Sequence, residues 1–192
     1  MSRKRKQPFF VKDVRQIRLL GSPLRQALID TIVSSGPCNV GTLSRMLGRP
    51  MDRLYYHLRL LEKAGLVIAR NVKPGVERRD TEFDVPGRPI QLQYDLRNAA
   101  NRRAVAAVVR SIGRAAQTDF ARSLNDPESV VSGSERNLWS GRAQARLSPA
   151  ELAEVNRHVQ DVMQIMANAR GRIDGNRLLQ FTFSLSPRGQ KR

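Results

Sequence analysis

Residues Leu20–Val67 read LGSPLRQALIDTIVSSGPCNVGTLSRMLGRPMDRLYYHLRLLEKAGLV, and their hydrophobic periodicity predicts three consecutive helices. The first helix begins at Ser22-Pro23, where a serine N-cap precedes a proline at the first helical position. Gly36-Pro37 ends it. Between these two signals, apolar residues recur at helical spacing, namely Leu24, Leu28, Ile29, Ile32 and Val33.

Two shorter helices are predicted after that stop. The second covers about Gly41–Leu47, and Gly48-Arg49-Pro50 breaks it. The third covers about Met51–Ala64, residues 51–64, with Gly65 as a natural C-cap. Its buried stripe is expected to consist of Leu54, Leu58 and Leu61.

A basic hairpin is predicted directly after the third helix, over residues 66–85. Leu66–Ala69 has the pattern of a strand, Lys73-Pro74-Gly75 of a turn, and Thr81–Val85 of a return strand. Three helices followed by a hairpin form a winged helix-turn-helix, so we expect such a domain over residues 11–96. Residues 1–10 form a basic flexible arm, which suits a DNA groove or serves as a solubilising tail.

Residues 97–192 are predicted to form a C-terminal unit for dimerisation. A long helix covers about Arg97–Ser123, and Asn125–Asn137 is a linker. One side of the helix is apolar, with Val105, Val108, Val109, Ile112, Ala116 and Phe120. We expect this side to pair across the two-fold axis of a homodimer. The alternative is packing within the chain on the last helix.

The end of the chain is expected to be a small α+β module, so the fold class is mainly α with small β. Leu138–Leu147 is predicted to be an irregular strand around Trp139. Ser148-Pro149-Ala150-Glu151 is a capping box that opens a helix ending at Gly171. Leu178–Leu185 alternates apolar and polar residues, which predicts a half-buried strand. The module completes the dimer core or holds an unidentified small-molecule effector.

The charge of the chain points to a polyanionic partner. Its 192 residues include 34 Lys and Arg against 17 Asp and Glu, a net charge of +17. The excess is spread evenly, with 18 basic and 9 acidic residues before Leu96 and 16 and 8 after it. Such a surface attracts nucleic acid first and anionic membrane second. No apolar run is long enough for a signal peptide or a spanning helix, so we expect a cytoplasmic protein without a membrane partner.

The third helix carries the candidate DNA-reading residues, because a recognition helix places its N-terminal side chains against base edges in the major groove. The candidates for base contacts are Met51, Asp52, Arg53, Tyr55 and Tyr56. The candidates for contacts with the DNA backbone are Ser44, Arg45, Arg49, His57, Lys73, Arg78 and Arg79. Alternatively, one tyrosine packs between helices, Asp52 caps the helix N-terminus, and His57 packs behind the helix.

Leu54–Val67, LYYHLRLLEKAGLV, resembles the recognition helix and the start of the wing of ArsR-like winged helix-turn-helix regulators. The resemblance implies that the helix reads the major groove, that the hairpin is the wing, and that helices outside the motif form a dimer. It assigns DNA contacts to Arg53, Tyr55, Tyr56 and His57 on the helix. It assigns Arg78 and Arg79 to the wing.

The chain departs from the metal-sensing members of that family. It has one cysteine, Cys38, and two histidines, His57 and His158, which are far apart in sequence. A zinc site needs three or four such ligands, so metal sensing is disfavoured and no cofactor is expected. No phosphate-binding glycine loop and no nucleophile with a base is present, so we expect no enzyme.

The sequence is compatible with three functions. The first is a sequence-specific transcriptional regulator that binds double-stranded DNA as a homodimer. The second is a non-specific architectural DNA- or RNA-binding protein, which the evenly spread charge favours. The third is a protein-interaction module on a winged-helix scaffold, since fold does not dictate function.

Overall fold

The computed structural model describes residues 7–70, 81–172 and 177–187 and contains six helices and five short strands in these ranges. The helices are α1 Val14–Leu19, α2 Pro23–Ser35, α3 Val40–Leu47, α4 Met51–Lys63, α5 Ala99–Ser123 and α6 Pro149–Asn168. The strands are β1 Phe9–Val11, β2 Cys38–Asn39, β3 Ile68–Arg70, β4 Glu82–Asp84 and β5 Ile90–Leu92. The fold is therefore mainly helical with small sheets, as predicted.

Four of the described helices, α1, α3, α5 and α6, begin where a side-chain oxygen accepts from a free backbone N–H group, whereas α2 and α4 begin beside a proline without such a bond. Asn39 caps α3 by accepting from the backbone N–H of Thr42 at 2.8 Å. Asn98 caps α5 in the same way, and Ser148 forms the predicted capping box with Glu151 at the start of α6. The predicted start and end of α2 at Pro23 and Gly36 are confirmed.

Two small sheets flank the helices. The order β2-β4-β3 is antiparallel, with Ala69 opposite Phe83 and Phe83 opposite Cys38, so β3 and β4 form the predicted hairpin. The second sheet joins β1 to β5 in parallel. Its strand β1 includes Phe9 and Phe10, so the predicted arm is wrong for its last two residues, because they pair with β5; residues 1–6 of that prediction lie outside the described residues.

One hydrophobic core lies between α1–α4, the hairpin and the first half of α5. Leu54, Leu58 and Leu61, the predicted stripe of α4, are fully buried in it. Cys38 lies in β2 and is buried, and its thiol donates to the carbonyl of Gly36 at 3.1 Å. The helix-turn-helix therefore has a packed core behind α4, with the opposite face of α4 left to solvent.

The long helix α5 packs on α1 and α2 through its first half. Its buried residues are Asn101, Ala104, Val108 and Ser111. The Ser111 hydroxyl donates to Oε1 of Gln26 on α2 at 3.1 Å, and the Asn101 amide donates to the carbonyl of Gln93 at 3.2 Å. The prediction that this apolar side pairs across a dimer axis is wrong for most of it, because Val108 is buried in the chain's own core and Val105 and Ile112 pack against that core. The principal partners of α5 are α1 and α2 rather than the last helix, which was the sequence-based alternative.

Two predicted strands are wrong. Leu138–Leu147 has no strand conformation; Trp139 is exposed there, with the guanidinium of Arg136 at 3.5 Å from its ring centroid. Leu178–Leu185 pairs with no described strand, and its side chains are exposed. Its alternation is still visible, because the rings of Phe181 and Phe183 stack at 5.7 Å on one side of the chain. An alternating pattern marks one apolar side but does not supply the neighbouring strand that a sheet requires.

None of the described helices is both long enough and apolar enough to cross a membrane.

Candidate nucleic-acid interface

The turn between α3 and α4 fixes the angle at which α4 is presented. Gly48 adopts the left-handed conformation, with φ 59°, which glycine reaches at little cost. The Ser44 hydroxyl donates to the carbonyl of Arg49 at 2.7 Å, and the Arg49 N–H donates to the carbonyl of Ser44 at 3.2 Å. Ser44 therefore holds the turn, and its proton is not available for a DNA phosphate while that bond is intact.

A continuous polar face runs along α4 on the side away from the core. Asp52, Tyr56, Arg59 and Lys63 follow each other at steps of four, three and four residues, so they share one face of the helix. All four are exposed, and Tyr56 is 62% exposed. Three of the four can donate hydrogen bonds, and two are cationic.

The two adjacent tyrosines have different surroundings. Tyr55 packs against the core, and its hydroxyl is buried without a hydrogen-bond partner in the described part of the chain. Tyr56 points to solvent. A shallow groove of about 400 Å³ lies beside them, lined by Asp52, Tyr55, Tyr56 and Arg59. Of the predicted pair, Tyr56 has the accessible hydroxyl, and Tyr55 fits the alternative of packing between helices.

His57 borders this face and lies near two arginines. Burial lowers the pKa of His57, and the charges of Arg25 and Arg53 lower it further. His57 is therefore mostly neutral at pH 7, because the ordinary imidazole pKa is about 6.5. Its ring meets that of Tyr56 edge to face at 5.2 Å. The Nδ1 atom is buried and has no hydrogen-bond partner among the described residues.

The remaining candidates on α3 and α4 are exposed. Arg53, Arg45 and Arg49 are open to solvent, and Met51 is 43% exposed at the first turn of α4. Asp52 lies inside the first turn, and the N-cap position is occupied by Pro50, so Asp52 does not cap the helix.

Three predicted contacts lie outside the described residues. Lys73, Arg78 and Arg79, together with the predicted turn Lys73-Pro74-Gly75, fall between β3 and β4. The strands that flank this segment are in place, since Arg70 at the end of β3 pairs with Glu82 at the start of β4.

Sequence reasoning missed three cations at this surface. Arg59 and Lys63 continue the face of Asp52 and Tyr56, and their spacing could have revealed them. Arg25 belongs to α2, and its guanidinium interacts electrostatically with Tyr56 and His57. This interaction depends on how α2 packs on α4, so the local sequence pattern could not predict it.

Within the described ranges, no group of three or more His, Cys, Asp and Glu residues could hold a metal ion.

Comparison with known proteins agrees with this geometry. Residues 20–68 match the family model of a helix-turn-helix domain. No curated protein matches the chain. Among solved structures, the chain is similar to the crystal structure of RV1404 from Mycobacterium tuberculosis, with 16% identity over 78% of this chain and 81% of that one. The TM-score of 0.29 is low, and nothing about this chain is inferred from that likeness.

The matched residues contain all of α2, α3 and α4 and end in β3. The helix-turn-helix match and the exposed polar face of α4 together indicate a DNA-binding domain in this part of the chain.

Proposed function

We propose that this protein is a sequence-specific transcriptional regulator that binds double-stranded DNA as a homodimer. Helix α4 lies in the major groove, and the hairpin from β3 to β4 lies on the flanking backbone or minor groove. The observation that carries the proposal is the exposed face formed by Asp52, Tyr56, Arg59 and Lys63, directly opposite the buried leucines of α4.

The proposed base contacts come from residues in the first turns of α4. Arg53 presents two donors to guanine, and Asp52 accepts from cytosine. Tyr56 has an exposed hydroxyl for a sugar or phosphate, and Met51 offers an apolar contact to a thymine methyl group. Tyr55 supports the helix from behind, so it positions these residues.

Backbone contacts surround this centre. Arg45 and Arg49 precede α4, Arg59 and Lys63 continue its exposed face, and the wing candidates Lys73, Arg78 and Arg79 lie beyond β3. Ser44 and His57 have positioning roles, because the former closes the turn and the latter is half-buried. Each phosphate contact adds affinity without sequence information.

Exposed apolar surface supports the homodimer. In the described part of the chain, no residue of α6 is buried, although Leu152, Val155, Val159, Val162 and Met166 form one stripe. Val109 on α5 is also exposed. Leu152 is 42% exposed and the other four residues are half-buried, so the chain covers the stripe only in part, and a second copy would cover it fully. We therefore assign the dimer contact to the apolar stripe of α6 together with Val109 of α5.

DNA binding by point variants tests the proposal. Arg59→Ala and Arg103→Ala remove the same charge, but Arg103 is an exposed residue of α5 outside the proposed interface. Anisotropy titrations with duplex DNA should show weaker binding for Arg59→Ala than for Arg103→Ala. Equal losses for both variants would contradict the placement of α4 on DNA.

Non-specific binding to DNA or RNA is the second candidate, and the even distribution of the +17 charge favours it. Under that function the affinity depends on salt and total charge, so Arg59→Ala and Arg103→Ala would behave alike.

A further inference from the structure

A cleft outside the DNA-binding face is lined by three arginines. It has a volume of about 560 Å³, which is within the range of small-molecule sites. Its walls are the C-terminal end of α2, the hairpin base with Arg70 and Asp84, the following loop with Arg88, and the end of α6 with Arg170. The walls are joined where the Gly171 N–H donates to the carbonyl of Ser34 at 2.6 Å.

Two of the arginines share one carboxylate. Asp84 is 1% exposed; its Oδ2 accepts from Arg70 at 2.7 Å and its Oδ1 from Arg88 at 2.6 Å. Arg88 also donates to the carbonyls of Ile32 and Val33 at the end of α2, at 2.9 and 3.3 Å. These bonds fix the Arg70–Asp84–Arg88 group at the base of the hairpin.

Among the arginines that line the cleft, Arg170 is the one without a direct hydrogen bond or ion pair to a described side chain. Among the described residues, no hydrogen-bond acceptor and no carboxylate lies within bonding distance of its guanidinium, which is half-buried. Burial lowers the pKa of Arg170, the charge of Arg88 lowers it further, and Asp30 offsets part of this effect. Arg170 therefore has five N–H donors to offer, and it faces a like charge.

The cleft has an excess of positive charge. Its lining contains three guanidinium groups and one carboxylate, a net charge of +2. Asp30, which attracts Arg170 from outside the lining, reduces the excess to +1. A bound anion would relieve the repulsion between Arg170 and Arg88 and would accept the free N–H groups, and guanidinium groups suit oxyanions because they donate two parallel hydrogen bonds.

We propose that this cleft binds a small organic anion, whose carboxylate or phosphate group lies between Arg170 and the Arg70–Asp84–Arg88 group. Apolar lining residues such as Val33, Pro37 and Ala167 contact the rest of the ligand. The site is separate from the exposed face of α4, so it is a ligand site in addition to the proposed DNA interface.

Thermal unfolding of the intact protein tests this site, with inorganic phosphate, acetate and citrate as probes at an ionic strength held constant with chloride. A ligand that binds the folded state raises Tm as its concentration increases. We expect at least one probe to raise Tm in the wild type, and Arg170→Gln to bind it about tenfold more weakly or worse by calorimetry, because a charge-assisted bond is lost. The preferred probe distinguishes carboxylate from phosphate.

Arg103→Gln is the matched control, since it removes the same charge from an exposed position on α5. It should respond to the probes like the wild type. Without any probe, Arg170→Gln should unfold at the same temperature as the wild type or higher, because it removes the repulsion with Arg88. Should Arg170→Gln not fold, Arg170→Lys keeps the charge but loses the two parallel donors, and it should also bind the probe more weakly.

Three results would overturn the proposal. The first is an equal rise in Tm for all variants, and the second is no rise with any probe. The third is equal probe binding in both variants together with a DNA affinity that falls more for Arg170→Gln than for Arg103→Gln, which would assign the cleft to DNA phosphates. Failure of the DNA-binding proposal itself would appear separately, in the Arg59→Ala titrations.

Discussion

Tyr55 and Tyr56 are neighbours in the chain but lie on different sides of α4. Tyr55 borders the buried leucines of α4 and packs against the core. Its hydroxyl is buried there and has no hydrogen-bond partner among the described residues. The same geometry leaves Tyr56 on the exposed face. The sequence placed both at the DNA, because each borders the stripe, and only the packing of α4 separates them.

Tyr55→Phe should leave DNA affinity unchanged and should not destabilise the fold. Removing a buried hydroxyl that lacks a partner relieves a desolvation cost of about 1–3 kcal/mol, so the free energy of unfolding should stay equal or rise. Urea unfolding and anisotropy measure the two effects. Tyr56→Phe is the matched control, since it removes an exposed hydroxyl and should weaken DNA binding; a DNA defect confined to Tyr55→Phe would contradict the assignment.

Arg53→Ala should cost about 1–3 kcal/mol on the preferred DNA site and relax base choice at one position, because a bidentate contact to guanine would be lost. Arg45→Ala should weaken binding to all DNA about equally, as expected of a phosphate contact. Anisotropy on selected and random duplexes compares the two. An equal loss for Arg53→Ala on both duplexes would remove it from the base-reading residues.

The candidate site could be predicted in part. The periodicity of Leu54, Leu58 and Leu61 fixes which side of α4 is exposed, and this side contains Asp52 and Tyr56 as expected. Arg25 could not be found in this way, because it reaches the site from α2 through tertiary packing. The arginine cleft could not be predicted from the sequence either, because its residues come from four separate segments that only the tertiary packing brings together.

At the scale of elements, the long periodic helices and the β3–β4 hairpin were predictable, whereas β1, β2 and β5 were not. The helices α2, α4 and α6 match their predicted starts, because capping residues and proline mark them. The strands β3 and β4 flank a turn signal, whereas β1, β2 and β5 contain two or three residues each with no such signal beside them. Their positions depend on partners far away in sequence, such as Phe9 opposite Ile90.

Gly87→Ala should destabilise the protein by about 1–3 kcal/mol, because overpacking forces the backbone to shift. A Cβ at this position would overlap the carbonyl oxygen of Gln7 and would lie 3.0 Å from the backbone nitrogen of Phe9. The loop before β5 therefore needs glycine where it passes β1. Thermal and urea unfolding measure the change.

Gly113→Ala is the control for Gly87→Ala. Gly113 lies in α5 with open space around its missing Cβ, so alanine should stabilise the helix by about 0.5–1 kcal/mol. If both substitutions shifted Tm in the same direction, the close approach of β1 to the loop would not be the cause.

At the scale of the whole molecule, the charge of +17 and the partly covered apolar stripe of α6 act in opposite directions on self-association. Like charges oppose self-association, while burial of the stripe favours it. The proposed dimer therefore requires the stripe to outweigh the repulsion, and binding to DNA would reduce that repulsion further.

Val159→Glu should convert the dimer to a monomer, because a carboxylate at the centre of the α6 stripe would be buried in the contact. Gln160→Glu adds the same charge at the next position, which is exposed, and should leave the dimer intact. Sedimentation equilibrium at micromolar concentration compares the variants. A wild type that sediments as a strict monomer would contradict the proposed dimer.

The most direct test of the central claim is the selection of duplex fragments from the source genome by the purified protein. Anisotropy titrations of the selected fragments and of random DNA at several salt concentrations then give the specificity ratio. We predict a motif with two-fold symmetry, bound about 10³-fold or more tightly than random DNA at physiological salt. Uniform binding without a motif, lost steeply as salt increases, would contradict a sequence-specific regulator.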